Sequence, residues 1–309
     1  MHSMKVAITG ATGFIGRKLV SELLTEGHQV EAITREPESA RKRLPAQCAC
    51  RRWDPMAGPD PDIIRGVDAI INLAGEGVAD ARWAPARKEA IRSSRVLMTR
   101  ALVGVISALP QNTRPRALIS ASAIGYYGDR GDELLDEQSA PGNDFLAEVC
   151  QAWEREAFVV ERLGVRAVVV RIGVVLGKEG GALQKMLLPF RLGLGGRLGS
   201  GRQWMSWIHL DDLVGLFVSA ISDAEVSGAI NGVAPTPVTN AAFTAALGQV
   251  LHRPTVLPVP AIALRLTLGE MSSILLGSQR VLPRAAERLG VTFRYPHIAG
   301  ALADLCAKS

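Results

Sequence analysis

The sequence predicts an α/β fold, a doubly wound parallel sheet with a smaller C-terminal lobe. Three observations predict it. The first half alternates short β-branched runs with amphipathic helical stretches, the pattern that builds a parallel sheet with helices on both faces. The first strand runs straight into a glycine-punctuated turn and then a helix. After Gly173 the alternation gives way to glycine-dense loops. A chain of 309 residues is long enough to bury one large core and carry an appendage.

Strands are expected at Lys5–Thr9, Gln29–Thr34, Ala69–Leu73, Arg116–Ala121 and Arg166–Val170. Helices are expected at Phe14–Thr25, Pro85–Leu109 and Asp144–Leu163, with Gly27 and Gly164 stopping the first and third. Each crossover thus receives the helix a parallel connection needs. Residues 4–173 form the dinucleotide-type domain and 174–309 the substrate lobe and helical tail, with a stretch near 203–233 returning to the first domain. In the lobe, glycine-rich segments at 177–181 and 193–201 flank an apolar stretch and suit a pocket wall. Asp211 or Asp212 caps a helix through Ile221, Asn231-Gly232 marks a turn, and Thr239 starts a helix to Leu251. Pro254, Pro258 and Pro260 break the chain before the tail.

The turn reads Thr9-Gly10-Ala11-Thr12-Gly13-Phe14-Ile15-Gly16. Gly10 permits the tight turn, Gly13 lets backbone approach a pyrophosphate, and Gly16 lets helix and strand pack, the Rossmann arrangement for a dinucleotide at a helix N-terminus. An ordinary βα turn accounts for the glycines alone but not for their context. The second strand ends Ile33-Thr34-Arg35. An acidic residue there would hydrogen-bond a ribose 2′-hydroxyl and repel a 2′-phosphate, whereas Arg35 can pair the phosphate, with Arg41, Lys42 and Arg43 as helpers. The expected cofactor is NADP(H).

Composition narrows the partners. The net charge is +5, yet lysines and arginines are scattered and only Arg41-Lys42-Arg43 forms a run, so no nucleic-acid partner is expected. No apolar run reaches membrane-spanning length, and the start, with residues before Met4 as a short extension, lacks a signal-peptide pattern; a cytoplasmic protein with no membrane partner is the expectation. Cys48, Cys50, Cys150 and Cys306 include one C-x-C pair without the partners a zinc site requires, and read as reduced thiols with no metal.

These residues resemble the extended short-chain dehydrogenase/reductase superfamily, whose signature Thr-Gly-x-x-Gly-x-x-Gly is matched at Thr9, Gly10, Gly13 and Gly16. More narrowly, the chain is similar to the sugar-nucleotide epimerase-like "epimerase family protein" group. The match lies in Asn72-Leu73-Ala74-Gly75-Glu76, the segment from Arg82-Trp83 to Arg95, Ser122 through Gly128, Trp204 through His209, Gly269-Glu270-Met271 and Gln279-Arg280-Val281. The resemblance implies a substrate-facing lobe and an uncharacterised C-terminal domain. It also implies that Leu73, Ala74 and Gly75 lie along the cofactor and that Arg95 reaches toward it; a solvated helix arginine is the alternative for Arg95.

The superfamily's usual machinery is a serine after the fifth strand and Tyr-x-x-x-Lys on the next helix. Ser122 matches the serine, but Asn143 through Glu154 contain neither tyrosine nor lysine. Of the three tyrosines, Tyr126 and Tyr127 follow Ser122 in the chain, and Ser122 with Tyr127 is the expected catalytic pair; packing or substrate contact is the alternative for either phenol. Glu148, Cys150, His209, Trp204 and Trp207 are weaker candidates, each with a structural role as the alternative. The expected function is an NADP(H)-dependent oxidoreductase or epimerase-like enzyme acting on a small hydroxyl- or carbonyl-bearing substrate. Its alternative is a non-catalytic NADP(H) sensor or carrier.

Overall fold

The structure is a computed structural model and describes residues 3–307; of the short extension expected before Met4, Met1 and His2 lie outside the described residues. The N-terminal part runs β1 (Lys5–Thr9), α1 (Phe14–Thr25), β2 (Gln29–Thr34), α2 (Pro37–Arg41), β3 (Ala49–Arg52), β4 (Ala69–Asn72), α3 (Pro85–Ala108), β5 (Ala117–Ala123), α4 (Phe145–Phe158) and β6 (Arg166–Ile172). Beyond it come α5 (Gly181–Arg191), α6 (Leu210–Ser222), β7 (Gly228–Gly232), α7 (Asn240–Leu251), α8 (Ala261–Leu268), α9 (Ser273–Leu276), α10 (Arg284–Arg288) and α11 (Ile298–Cys306). The seven strands form one sheet in the order β7-β6-β5-β4-β1-β2-β3. Every pairing is parallel. The order reverses between β1 and β4, which opens a crevice at the carboxyl ends of those strands.

Both faces of the sheet are covered, which is why β4 and β6 are mostly apolar. On one face Leu19, Val20 and Leu23 of α1 and Phe217 of α6 pack against Ile8, Val30 and Val170. On the other, Leu102, Val105 and Ile106 of α3 meet Ile70, Leu118 and Val169. The lobe has its own core, in which Leu183 and Leu187 of α5 pack with Trp207, Phe243, Leu247 and Leu302. Short two-residue and three-residue pairings join the parts: Trp207–His209 runs beside Val174–Gly177, and Arg280–Val281 beside Leu134–Leu135.

Two local expectations are corrected. Asn231-Gly232 is not a turn but the end of β7, paired with Arg171 and Ile172, and Asn231 is wholly buried. Small residues suit this edge because a side chain on Gly232 would press on Val170 and Leu213. The cap of α6 is His209, whose Nδ1 accepts from the Asp211 N–H at 3.1 Å, not Asp211 or Asp212. Asp212 instead accepts from the backbone N–H groups of Arg294 and Tyr295 at 2.8 and 3.0 Å, and so ties the tail to the sheet domain. Asp144 and Thr239 do cap the helices they precede.

Candidate functional site

A cleft of about 590 Å³ opens at the crevice between β1 and β4. Its floor is the turn from Gly10 to Gly13, one wall is Leu73 to Glu76, and its far end is Thr34, Arg35, Trp53 and Met56. Gly10 has φ +70°, and a side chain there would lie 2.7 Å from the Leu73 carbonyl, so the turn and the end of β4 approach each other only because residue 10 is glycine. A side chain on Gly16 would lie 2.4 Å from the Gly10 carbonyl oxygen; this glycine sets the packing of α1 on the turn. Gly13 meets nothing closer than 3.2 Å, and the space in front of it is open cleft. It is also the N-cap of α1 and supplies no side-chain acceptor, so the first N–H groups of the helix are left for an anionic group in the cleft. Arg35 is exposed, has no ion pair among the described residues, and lines the far end of the cleft.

Leu73, Ala74 and Gly75 line the cleft, and Arg95 stands behind Gly75. Its guanidinium donates to the carbonyls of Ile91 at 3.0 Å and Glu76 at 2.9 Å and lies over the Trp153 ring. Arg95 therefore braces the strand-end segment from below. Asn72 does the same one residue earlier: its side chain accepts from Thr9 at 2.7 Å and donates to Thr99 at 2.9 Å and Ser120 at 3.2 Å.

At the end of β5 a buried polar chain begins. The Ser122 hydroxyl donates to Glu154 Oε1 at 2.7 Å, and Arg171 grips both oxygens of Glu154 through Nε and Nη2 at 2.9 and 2.8 Å. Arg171 Nη1 also donates to the Tyr127 hydroxyl at 3.0 Å, which in turn donates to Asn231 Oδ1 at 2.7 Å. The guanidinium lies 3.5 Å from the centre of the Tyr126 ring. None of Ser122, Glu154, Arg171, Tyr127 and Asn231 is more than 5 % exposed. Two formal charges are thus held in apolar surroundings by complete hydrogen bonding, the condition under which a buried pair is tolerated. Burial pushes the Tyr127 phenol up to about 12 against the opposing pull of Arg171.

Residues 6–231 match the NAD dependent epimerase/dehydratase family, and residues 259–305 match a domain of unknown function, DUF1731. The chain belongs to the NAD-dependent epimerase/dehydratase family. Among its relatives is the Arabidopsis thaliana chloroplastic homologue of epimerase family protein SDR39U1, 43% identical over 299 residues that make up 97% of this chain and 86% of the relative. An epimerase family protein of Mycobacterium bovis, Mb2239, is 41% identical over 98% of this chain and 97% of its own length. A crystal structure of human SDR39U1, isoform 2, with NADPH superposes with a TM-score of 0.88 at 36% identity and covers 98% of this chain and 99% of that one.

Within this epimerase/dehydratase fold, the sequence-expected residues separate into three groups. Gly10, Thr12, Gly13, Thr34, Arg35, Leu73, Ala74 and Gly75 converge on the cleft. Phe14, Ile15 and Gly16 turn away from it. Phe14 packs against Gly177, Gly180 and Gly181 of the lobe, and Ile15 joins the sheet core. Ser122 and Tyr127 belong to one hydrogen-bonded chain, but Tyr127 has no exposed surface and its hydroxyl is engaged on both sides.

The face of α4 near Ser122 carries Leu146 and Cys150, both close to Gly125, and Glu154 one turn on. Burial, with Glu154 nearby, raises the Cys150 thiol to about 12, so it stands as a neutral packing group. Glu148 is exposed, Trp207 is wholly buried, and Trp204 donates to Asp132 under the Arg280 guanidinium. Trp53, Glu154 and Arg171 were not singled out from sequence. The signal for Arg171 was there: a charge following the apolar run Ala-Val-Val-Val inside the strand Arg166–Ile172 demands a buried partner.

Proposed function

We propose that the protein is an NADP(H)-dependent oxidoreductase or epimerase-like enzyme acting on a small hydroxyl- or carbonyl-bearing substrate. The observation that supports it best is the cleft itself, where an uncapped helix start faces a pyrophosphate-sized space and an unpaired arginine stands at the ribose end. The NADPH in the crystal structure of human SDR39U1 supports the same reading. The bound nicotinamide supplies or accepts a hydride. Gly10 and Gly13 admit the pyrophosphate, the N–H groups opening α1 hold it, and Arg35 selects the 2′-phosphate.

Ser122 is the group we assign to the substrate oxygen. Its hydroxyl donates to Glu154, which leaves its oxygen as an acceptor for a substrate hydroxyl. Tyr127 serves as a positioning residue, holding Arg171, which holds Glu154, which orients Ser122. Screening hydroxyl and carbonyl compounds for NADP(H) turnover tests the enzyme reading. Ser122→Ala is expected to leave NADPH affinity unchanged while cutting turnover about a hundredfold, within the usual range for a hydrogen-bonding or acid–base group. Tyr127→Phe is expected to lower kcat with little change in KM. Wild-type turnover in a variant lacking both groups would remove the assignment. A second reading, an NADP(H) sensor without turnover, is supported by Leu146 and Cys150 on the α4 face beside the Ser122 loop; tight NADPH binding with no turnover across the screen selects it.

A further inference from the structure

Charge is distributed unevenly along this chain. Residues 180–210 and 226–269 contain one lysine and five arginines and no Asp or Glu, a formal +6, whereas the whole chain is +5, which leaves −1 for everything else. The five arginines, Arg191, Arg197, Arg202, Arg253 and Arg265, are exposed and have no ion pair among the described residues. The same two segments hold seven of the twelve exposed large apolar side chains of the described residues. Leu188, Leu192 and Leu194 are 67%, 64% and 58% exposed, Val256 and Leu257 are 77% and 51%, and Ile262 and Leu266 are 68% and 74%.

The two segments lie side by side. Arg253 Nε donates to the Arg191 carbonyl at 2.9 Å, Val259 N–H donates to the Arg197 carbonyl at 2.8 Å, and the Gly199 N–H donates to the Val259 carbonyl at 2.8 Å. Leu192 and Leu194 on one segment thereby neighbour Val256 and Leu257 on the other. Helix α8 follows directly, with Ile262 and Leu266 one turn apart on one face and none of its residues buried. Monomeric proteins rarely leave contiguous apolar surface of this kind uncovered, and here it is ringed by cations.

We propose that this edge of the lobe docks on an anionic lipid bilayer surface. Arginines among exposed aliphatic side chains are the composition that interfacial binding requires: the apolar groups enter the headgroup region and the guanidinium groups meet lipid phosphates. The contact is peripheral, because no helix among the described residues is long and apolar enough to cross a membrane. A second copy of the chain is disfavoured as the occupant, since a two-fold dimer through this face would set the same five unpaired arginines against one another. A single-stranded nucleic acid is disfavoured because the exposed large apolar side chains are all aliphatic and offer no ring for base stacking.

The test is co-sedimentation of the full chain, with NADPH present, with vesicles of phosphatidylcholine alone or mixed with an equal part of phosphatidylglycerol. Binding to the mixed vesicles is expected to exceed binding to neutral ones by about tenfold or more and to weaken with added salt. Val256→Asp with Leu266→Asp, and separately Arg191→Glu with Arg265→Glu, are expected to abolish it while the melting temperature and NADPH affinity stay at wild-type values. Arg162→Glu with Arg288→Glu, equal in charge change but outside the edge, is expected to retain more of the binding. The proposal is overturned by no preference for anionic vesicles, by binding that the edge variants leave intact, by a salt-resistant dimer that those variants dissociate, or by binding to polyglutamate in place of vesicles.

Discussion

Arg35 follows β2 directly, with its guanidinium at the rim of the cleft and in no ion pair among the described residues, while its neighbours are already committed: Arg41 pairs with Glu38 and Arg51 with Glu31. A residue without a partner in the folded chain can give its whole interaction to a ligand. Arg35→Ala is therefore expected to weaken NADPH about tenfold to hundredfold while NADH changes little, as the loss of one charge-assisted hydrogen bond implies. Parallel titrations check it, and equal losses for both cofactors would remove Arg35 from its role. The Glu154–Arg171 pair is the opposite case, fully spent inside the protein. Glu154→Gln leaves a buried guanidinium without its counter-charge and is expected to cost about 3–5 kcal/mol in denaturant unfolding. The glycines and Arg35 were legible in the sequence because a turn and a strand end are local features. Glu154 was not, since its partners lie 32 positions before it and 17 after it.

Elements were legible to the extent that period and caps are local. β1, β2 and α1 have the bounds their patterns imply, and α3 and α4 begin where Pro85 and Asp144 place them. Strands β3 and β7 were not foreseen: Ala-Cys-Arg-Arg and Gly-Ala-Ile-Asn-Gly lack a β-branched run, and each lies at an edge of the sheet where one neighbour suffices. The cap of α6 was assigned to the aspartates, the commoner capping type, but His209 does that work with its Nδ1.

That ring is buried and stacked on Tyr295, and burial lowers its pKa from the ordinary 6.5 despite Asp211, Asp212 and Asp304 nearby. Because the folded value is the lower one, the unfolded chain takes up the proton first as pH falls. The stabilisation from keeping the ring neutral is whole above about 6.5 and is lost progressively below it. His209→Asn keeps a capping acceptor without the titration, so its melting temperature is expected to fall less than the wild type's on acidification. Parallel slopes for the two proteins would remove His209 as the source.

At the scale of the whole molecule, the sheet order follows from the chain's alternation, whereas the closure of the lobe on it does not. The lobe is tied back by long-range contacts: Asp212 holds the tail, Ser206 donates to the Gln279 carbonyl at 2.8 Å, and Lys88 of α3 pairs with Glu270 near the end of α8. None of these has a periodicity that a sequence displays. One such contact starts at the phosphate turn itself. Phe14 follows Gly13 in the chain, and its ring fills the space where side chains of Gly177, Gly180 and Gly181 would stand, each of their added carbons falling 2.5–2.8 Å from it. The turn and the lobe loop thus share one aromatic wedge, and an occupant that stills the turn must quieten the loop. NADPH is expected to slow amide hydrogen exchange at residues 177–181, and Phe14→Ala to erase that slowing even where the cofactor still binds. Exchange at the loop that ignores cofactor in the wild type would mean that the wedge transmits nothing. With that slowing present in the wild type and lost in Phe14→Ala, residue 14 is a pawl, checking the lobe loop when the cleft is full.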